Sequence, residues 1–302
     1  MAKSKKKSSK KLTLTEIILA LIIFVLGLIF GDQVAPGSTE NTATTGGLVD
    51  GKPAMHFVDV GQGDCTLITY NGDAVLIDAG PVSAGDSAAE YVKGQVDAID
   101  YFIITHPHED HMGGAADILE NIEVKNVIMP DYEVDTKFYQ NAMKQIADQK
   151  VNVIHSEAHA VHDTGNIKIT IIDSVIPDDD NLNNISIIAR IDVGSTSIMT
   201  TGDAEVEEEM QVVENYTSIL GSSLYDPAIL DCDILQVGHH GSSTSSTSEF
   251  LDLVTPGVAV ISCGVDNSYG HPHQETLDLF ADYGFEVYRT DLSGTIVLSG
   301  EP

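Results

Sequence analysis

Cysteine is scarce in this chain of 302 residues: Cys65, Cys232 and Cys263 are the only three, an odd number without a CxxC spacing. No disulfide framework is implied. Basic residues are scarce too, and unevenly placed. Six of the 15 Lys and Arg (Lys3, Lys5, Lys6, Lys7, Lys10, Lys11) fall in the first eleven positions, leaving nine against 45 acidic residues after Gly31, a net charge near −36. A field of that sign repels polyanions unless metal ions or a local patch reverse it where they dock, so avid nonspecific nucleic-acid binding is disfavoured. Solubility, or a salt-rich or divalent-rich milieu, accounts for the same charge. A serine nucleophile elbow and a catalytic-cysteine motif are also absent, and Cys65 reads as an apolar strand position, so covalent catalysis is not expected.

The amino terminus sets a topology. Lysine-rich residues 1–11 precede an apolar run at 12–31, in which Glu16 is the sole charge. Roughly 20 residues span a bilayer, so the run predicts a transmembrane anchor, with the basic tail cytoplasmic and the rest of the chain outside. A cleaved signal peptide, giving a secreted form, is the competing reading, but no A-x-A-like site follows Phe30. Residues 32–52, rich in Gly, Ser, Thr and Asn, read as a flexible linker.

Residues 53–302 carry the 42% hydrophobic content in short runs punctuated by glycine, enough for one large domain of about 250 residues. Strand patterns are expected at 55–60, 65–70, 74–78, 101–105, 124–129, 167–172, 185–191, 195–200, 234–237 and 258–262. Helical patterns are expected at 87–94, 112–122, 136–149, 204–220 and 273–283. Two β-rich halves with helices between predict an α/β fold, a four-layer αββα sandwich.

At the end of the strand pattern Tyr101-Phe102-Ile103-Ile104-Thr105 the chain delivers His106-Pro107-His108-Glu109-Asp110-His111. A rigid strand end presents ligands to a cleft. His106 and His108 flank Pro107 at a spacing that directs two imidazoles to one ion, while Asp110 and His111 are offset to serve a neighbouring one. Nitrogen and carboxylate donors suit zinc, manganese or iron. His155, His159 and His162 lie in a polar stretch that reads as solvated surface.

These features resemble the metallo-β-lactamase fold superfamily, and within it the carboxy-terminal extracytoplasmic domain of ComEC-type competence proteins. The residues that carry the closer resemblance begin with Asp59-Val60-Gly61-Gln62-Gly63-Asp64, Leu76-Ile77-Asp78-Ala79-Gly80 and residues 106–114. Thr201-Gly202-Asp203-Ala204-Glu205, Gly238-His239-His240-Gly241-Ser242 and Tyr269-Gly270-His271-Pro272-His273 follow in the expected order.

The resemblance implies that Asp203 bridges two metals and that Asp78 orients a ligand histidine. It implies that His240 is the last ligand, with His239 beside it as the true ligand or as a proton donor. The sequence departs from the superfamily pattern where a third histidine for the first metal is usual: it reads Asn181-Leu182-Asn183-Asn184. Asn183 and Asn184 offer weakly ligating carbonyl oxygens, which predicts a looser first site or a harder ion such as Mn²⁺ in place of Zn²⁺, and one or two ions in all. Asp110 and Asp203 would hold a metal-activated water, and His271 is placed at the rim as an acid or a substrate contact. Gln62, Asp64, Ser242 and Ser243 are expected to line a phosphate cradle.

The function expected is hydrolysis of a phosphodiester outside the cell, with DNA as the substrate that the resemblance implies and the membrane as the partner of the amino-terminal run. No protein partner is deducible. Wall phosphoesters, lactones or lactams are alternative substrates, and a metal-stabilised binding module without catalysis is the alternative from another class.

Overall fold

A computed structural model describes residues 51–173, 181–218 and 225–302. The expected tail, anchor and nearly all of the linker lie outside these residues. Among the described residues no helix is long and apolar enough to cross a membrane.

Two seven-stranded mixed sheets form the centre. The first begins with β1 (Ala54–Phe57), β2 (Thr66–Tyr70) and β3 (Asp73–Ile77), joined antiparallel, the last two across an Asn-Gly hairpin turn. Then β4 (Ala98–Ile103), β5 (Glu123–Met129) and β6 (Asn152–His155) add in parallel through helical crossovers. The crossovers are α1 (Gly85–Lys93), the short α2 (Glu109–Met112) and α3 (Ala115–Asn121), and α4 (Lys137–Gln149). One helix expected over 112–122 is thus two, broken at Gly113-Gly114.

The second sheet holds β7 (Val161–Asp163), β8 (Ile167–Asp173), β9 (Ile188–Val193) and β10 (Thr196–Thr200) as an antiparallel set. Next come α5 (Val206–Thr217), the parallel strand β11 (Ile234–Gln236), α6 (Ser248–Val254), β12 (Val258–Ile261), α7 (Gln274–Tyr283) and β13 (Glu286–Arg289). After α8 (Thr290–Ser293), β14 (Ile296–Ser299) crosses back to pair antiparallel with β1 in the first sheet. The halves are therefore not closed units, because the last strand of the chain completes the first sheet.

Side-chain alternation explains the layers. On β3, Val75 and Ile77 face the second sheet, where they meet Ile169, Ile171, Ala189, Ile191 and Ile198, while Ala74 and Leu76 pack under α1 and α3. On the opposite side Met199, Leu235, Ala259 and Ile261 meet Val212, Phe250, Leu251 and Phe280 from α5, α6 and α7. Both sheets are apolar on both faces, so the four-layer arrangement is what buries them. Each such buried Ile or Leu stabilises the fold by about 1.5–3 kcal/mol relative to exposure.

Candidate metal centre

The parallel strands β4, β10, β11 and β12 end at one pole of the sandwich, and the chemistry-bearing loops leave from those ends. After β4 comes His106-Pro107-His108, and α2 carries Asp110 and His111. After β10 comes Thr201-Gly202-Asp203. A Cβ on Gly202 would lie 2.8 Å from the Ser186 hydroxyl and 2.9 Å from Thr105, and its φ of +51° is left-handed. That close approach delivers Asp203 against the histidine loop. After β11 the chain turns through His239 (φ 49°, ψ 43°) and His240 (φ 53°, ψ 25°), two consecutive left-handed residues without a glycine's freedom. Each costs on the order of 1–2 kcal/mol. The strain is held by a site that needs both rings at this pole.

Asp78 organises the histidines. Its Oδ2 accepts from His111 Nδ1 at 2.8 Å and from the Thr105 hydroxyl at 2.7 Å, and its Oδ1 accepts from the Thr105 amide at 2.8 Å. Because the Thr105 hydroxyl donates to Asp78, it is left to accept from His106 Nδ1 at 3.2 Å, and Ser186 Oγ lies 3.3 Å from the same nitrogen. His240 Nδ1 donates to the Ser262 carbonyl at 2.9 Å. All three rings thus hold a proton on Nδ1 and direct Nε2 inward, the nitrogen that is left for a metal. His108 presents Nδ1, 3.0 Å from His106 Nε2.

Asp203 sits between two groups. Its Oδ1 is 3.1 Å from His111 Nε2 and 3.7 Å from His240 Nε2, and its Oδ2 is 3.8 Å from His106 Nε2. Donor atoms of His106, His108 and Asp203 lie within 4.8 Å of one another, as do those of Asp64, His111, Asp203 and His240. His111 Nε2, Asp203 Oδ1 and both Asp64 oxygens are buried without a hydrogen-bond partner. Unpaired buried polar atoms are costly, and their convergence with this donor set fits one or two divalent ions.

Electrostatics follow the same division. Burial alone would lower the His111 and His240 pKa values, yet the Asp203 carboxylate, aided by Asp78 for the one and by Asp110 and Asp64 for the other, raises both, that of His240 to about 10. Burial lowers His106 well below the ordinary histidine value, and the charge on His111 adds to that; burial lowers His108 as well. Burial opposes ionisation of Asp203, but His111 and His240 outweigh it and hold the carboxyl well below its usual range.

Several expected site residues take other places. Asp64, expected in the phosphate cradle, is sealed at 1% exposure, so it is interior and not a cleft wall. Gln62 Oε1 is occupied by the Gly264 amide at 3.1 Å. Ser242 is buried with its hydroxyl on Thr244 at 3.0 Å, while Ser243 remains exposed beside His273. Asn184 Oδ1 accepts from the Glu205 amide at 3.0 Å and is not free to ligate. Asn183 donates to Glu205 at 2.9 Å but keeps a buried, unpartnered carbonyl oxygen.

Between the adjacent histidines, His240 joins the donor set, whereas His239 lies toward the rim with Nδ1 3.4 Å from Glu205 Oε1 and 3.0 Å from the Thr244 hydroxyl. Asp110 reaches His240 Nε2 at 3.3 Å from the cleft edge. Burial, then the charges of His240 and His239, lower His271 to about 4. His155 pairs with Asp131, His159 packs edge-to-face against Tyr225 and His162 lies tilted against Tyr101. Sequence reading missed Thr105, Ser186, Glu205 and the Ser262 carbonyl. Only Thr105 and Glu205 carried a local signal, as neighbours of ligand motifs.

A four-layer sandwich with histidines and aspartates gathered at its strand ends defines a metallohydrolase class, and sequence comparison agrees. A profile of the Metallo-beta-lactamase superfamily matches residues 58–265, and the chain belongs to that superfamily, in its ComEC-like form. It is 29% identical over 265 residues to ComE operon protein 3 of Bacillus subtilis, covering 80% of this chain and 32% of that protein. It is 31% identical over 244 residues to Recombination protein 2 of Haemophilus influenzae, covering 79% of this chain and 28% of that protein. The chain thus spans about a third of the length of these relatives. Among solved structures, the metallo-beta-lactamase fold protein YhfI of Bacillus subtilis superposes with a TM-score of 0.54 at 13% identity, over 82% of this chain and 100% of that one. At that identity the likeness shows the fold alone.

Proposed function

We propose that this domain is a metal-dependent phosphodiesterase, displayed outside the cell from an anchor at residues 12–31, with Zn²⁺ or Mn²⁺ as its ion. The observation that carries the reading is Asp203, whose two carboxylate oxygens are divided between the His106/His108 and the His111/His240 nitrogens. That arrangement suits two adjacent ions, which when bound supply a nucleophile at neutral pH and neutralise charge on a phosphoryl group.

The chain's own side chains supply the rest. Asp78 and Thr105 hold ring tautomers; Asp203 and Asp110 carry the negative charge that keeps the centre assembled. His239, with Glu205 behind its Nδ1 and its Nε2 3.8 Å from Asp203 Oδ2, stands where a proton is delivered to a leaving oxygen. Ser243 is exposed next to that rim, but its amide donates to His273 Nδ1 at 2.9 Å and its hydroxyl lies 3.0 Å from the same nitrogen.

The names of the relatives, one a recombination protein, support DNA as substrate. The net charge near −36 favours a second reading, in which a small phosphodiester or a wall-polymer phosphoester is the substrate. The deciding experiment uses the full chain in detergent with bis(p-nitrophenyl) phosphate, single- and double-stranded DNA, and nitrocefin, each with and without chelator. Chelator-sensitive phosphodiester turnover is expected. A metal-loaded chain inert toward every phosphodiester overturns the proposal. DNA cleavage that falls steeply with salt selects the polymer, and salt-insensitive turnover of the small ester selects the second reading.

A further inference from the structure

Asp64 lies within the donor group on the His111 side, yet it belongs to none of the ligand motifs read from the sequence. It leaves the loop between β1 and β2, and its backbone is clamped: its amide donates to the Asp110 carbonyl at 3.1 Å and its carbonyl accepts from the Gly80 amide at 2.7 Å. The preceding Gly63 has φ +145°, and a Cβ there would lie 2.3 Å from the Asp110 carbonyl oxygen, so no other residue passes at this distance. The loop is pressed under the α2 ligand turn, and the residue that it delivers is a carboxylate at 1% exposure.

Neither oxygen of that carboxylate has a hydrogen-bond partner, and its one ion-pair partner among the described residues is His240, whose Nδ1 lies 3.7 Å from Oδ1. A donor atom of Asp64 nonetheless falls within 4.8 Å of donors on His111, Asp203 and His240. A buried carboxylate is strongly unfavourable unless a cation balances it, and a neutral, metal-ligating His240 does not. The place where a cation would balance it is the one toward which the orphaned His111 Nε2 and Asp203 Oδ1 also converge.

We propose that Asp64 is a carboxylate ligand of the ion held by His111, Asp203 and His240. The inference rests on metal binding at this centre but not on the phosphodiester reading. With Asp64 the His111 side has two imidazoles and two fully buried carboxylates, against two imidazoles and the shared Asp203 on the His106 side. The His111 side fills first, and its oxygen-rich set shifts preference toward Mn²⁺ relative to a histidine-dominated zinc site.

The test compares the metal-depleted full chain with Asp64→Asn and Asp64→Glu. Stepwise Zn²⁺ and Mn²⁺ affinities are read against a competing chelator, melting temperature is read with and without metal, and absorption is read in the Co²⁺-loaded protein. Asp64→Asn is expected to weaken the first ion at least about 100-fold, to change the Co²⁺ spectrum, and to shrink the rise in melting temperature on loading. A purely structural Asp64 predicts a fall in both melting temperatures with an unchanged spectrum, and that result overturns the proposal, as does a first-ion affinity within threefold of the parent. Should the Asn variant not fold, Asp64→Glu decides: an altered Co²⁺ spectrum supports ligation and an unaltered one overturns it. Tight metal binding without phosphodiester turnover would sink the proposed activity and leave Asp64 standing.

Discussion

The two sides of the metal centre differ in how completely the fold has enclosed them. On the His111 side every donor is buried, and the histidines are tied to Asp78 and to the Ser262 carbonyl. On the His106 side, His108 is half-exposed, His106 is steadied only by the hydroxyls of Thr105 and Ser186, and the nearby Asn184 is engaged with Glu205. One side is preorganised by carboxylates and backbone, the other by hydroxyls beside a partly exposed His108. The difference predicts that an ion is held more tightly on the His111 side than on the His106 side.

The comparison is broken most severely at the residue common to both sides. Asp203→Asn should remove the shared charge and lower kcat/KM on bis(p-nitrophenyl) phosphate on the order of 10³-fold, about 4 kcal/mol of transition-state stabilisation; ions per chain, measured alongside, should fall on both sides. Retention of two ions by that variant would refute the shared role.

Next in size is a pH effect in the loop that follows His240. Glu209 accepts from the Ser246 and Thr247 amides at 2.6 and 2.7 Å, and burial, partly offset by those bonds, raises its pKa from 4.5 to about 7. The folded state therefore holds this proton more tightly than the unfolded chain does. The stability so gained is fully present below pH 4.5 and is lost as pH rises through about 7, a swing of about 3 kcal/mol. Denaturation of Glu209→Gln at a series of pH values should lack that part of the slope, and an unchanged slope would rule the group out.

The smallest effect should come from His108→Ala. On the more open side it is expected to weaken the second ion roughly tenfold while sparing the first, which chelator competition reads directly. Equal loss of both ions would erase the distinction between the sides.

Much of the site was legible because His106, His108, Asp110 and His111 are contiguous and follow a strand whose apolar pattern is plain. Asp203 and His240 were legible as motifs with their own glycines. The misplaced residues are those whose role depends on what the chain packs against. Asp64 and Gln62 sit in a glycine turn that reads as cleft lining, and only the passage beneath the Asp110 carbonyl shows that the carboxylate points inward. Asn184 looks like a ligand substitute until Glu205 is brought beside it from 21 positions away.

In the fold, the two sheets and most helices followed from periodicity. The strands β6 and β7, which hold His155 and His162, did not, because sheet edges face water and so lose the apolar alternation. The helix α6 was hidden behind a Ser/Thr run in which Thr247 caps it by accepting from the Phe250 amide. The return of β14 to the first sheet is a long-range pairing that no local pattern encodes.

That return also fixes where the domain can be handled. Ala54 lies opposite Ser299, and the Gly300 amide donates to the Pro53 carbonyl at 2.9 Å, at the end of β1 remote from the loop that carries Asp64. Both ends of the folded unit emerge together at the pole opposite the cleft. A bead, dye or fusion partner coupled at either end leaves the catalytic face clear, and a circular permutant needs only a short bridge from 300 to 53, with its new ends opened in a surface turn elsewhere.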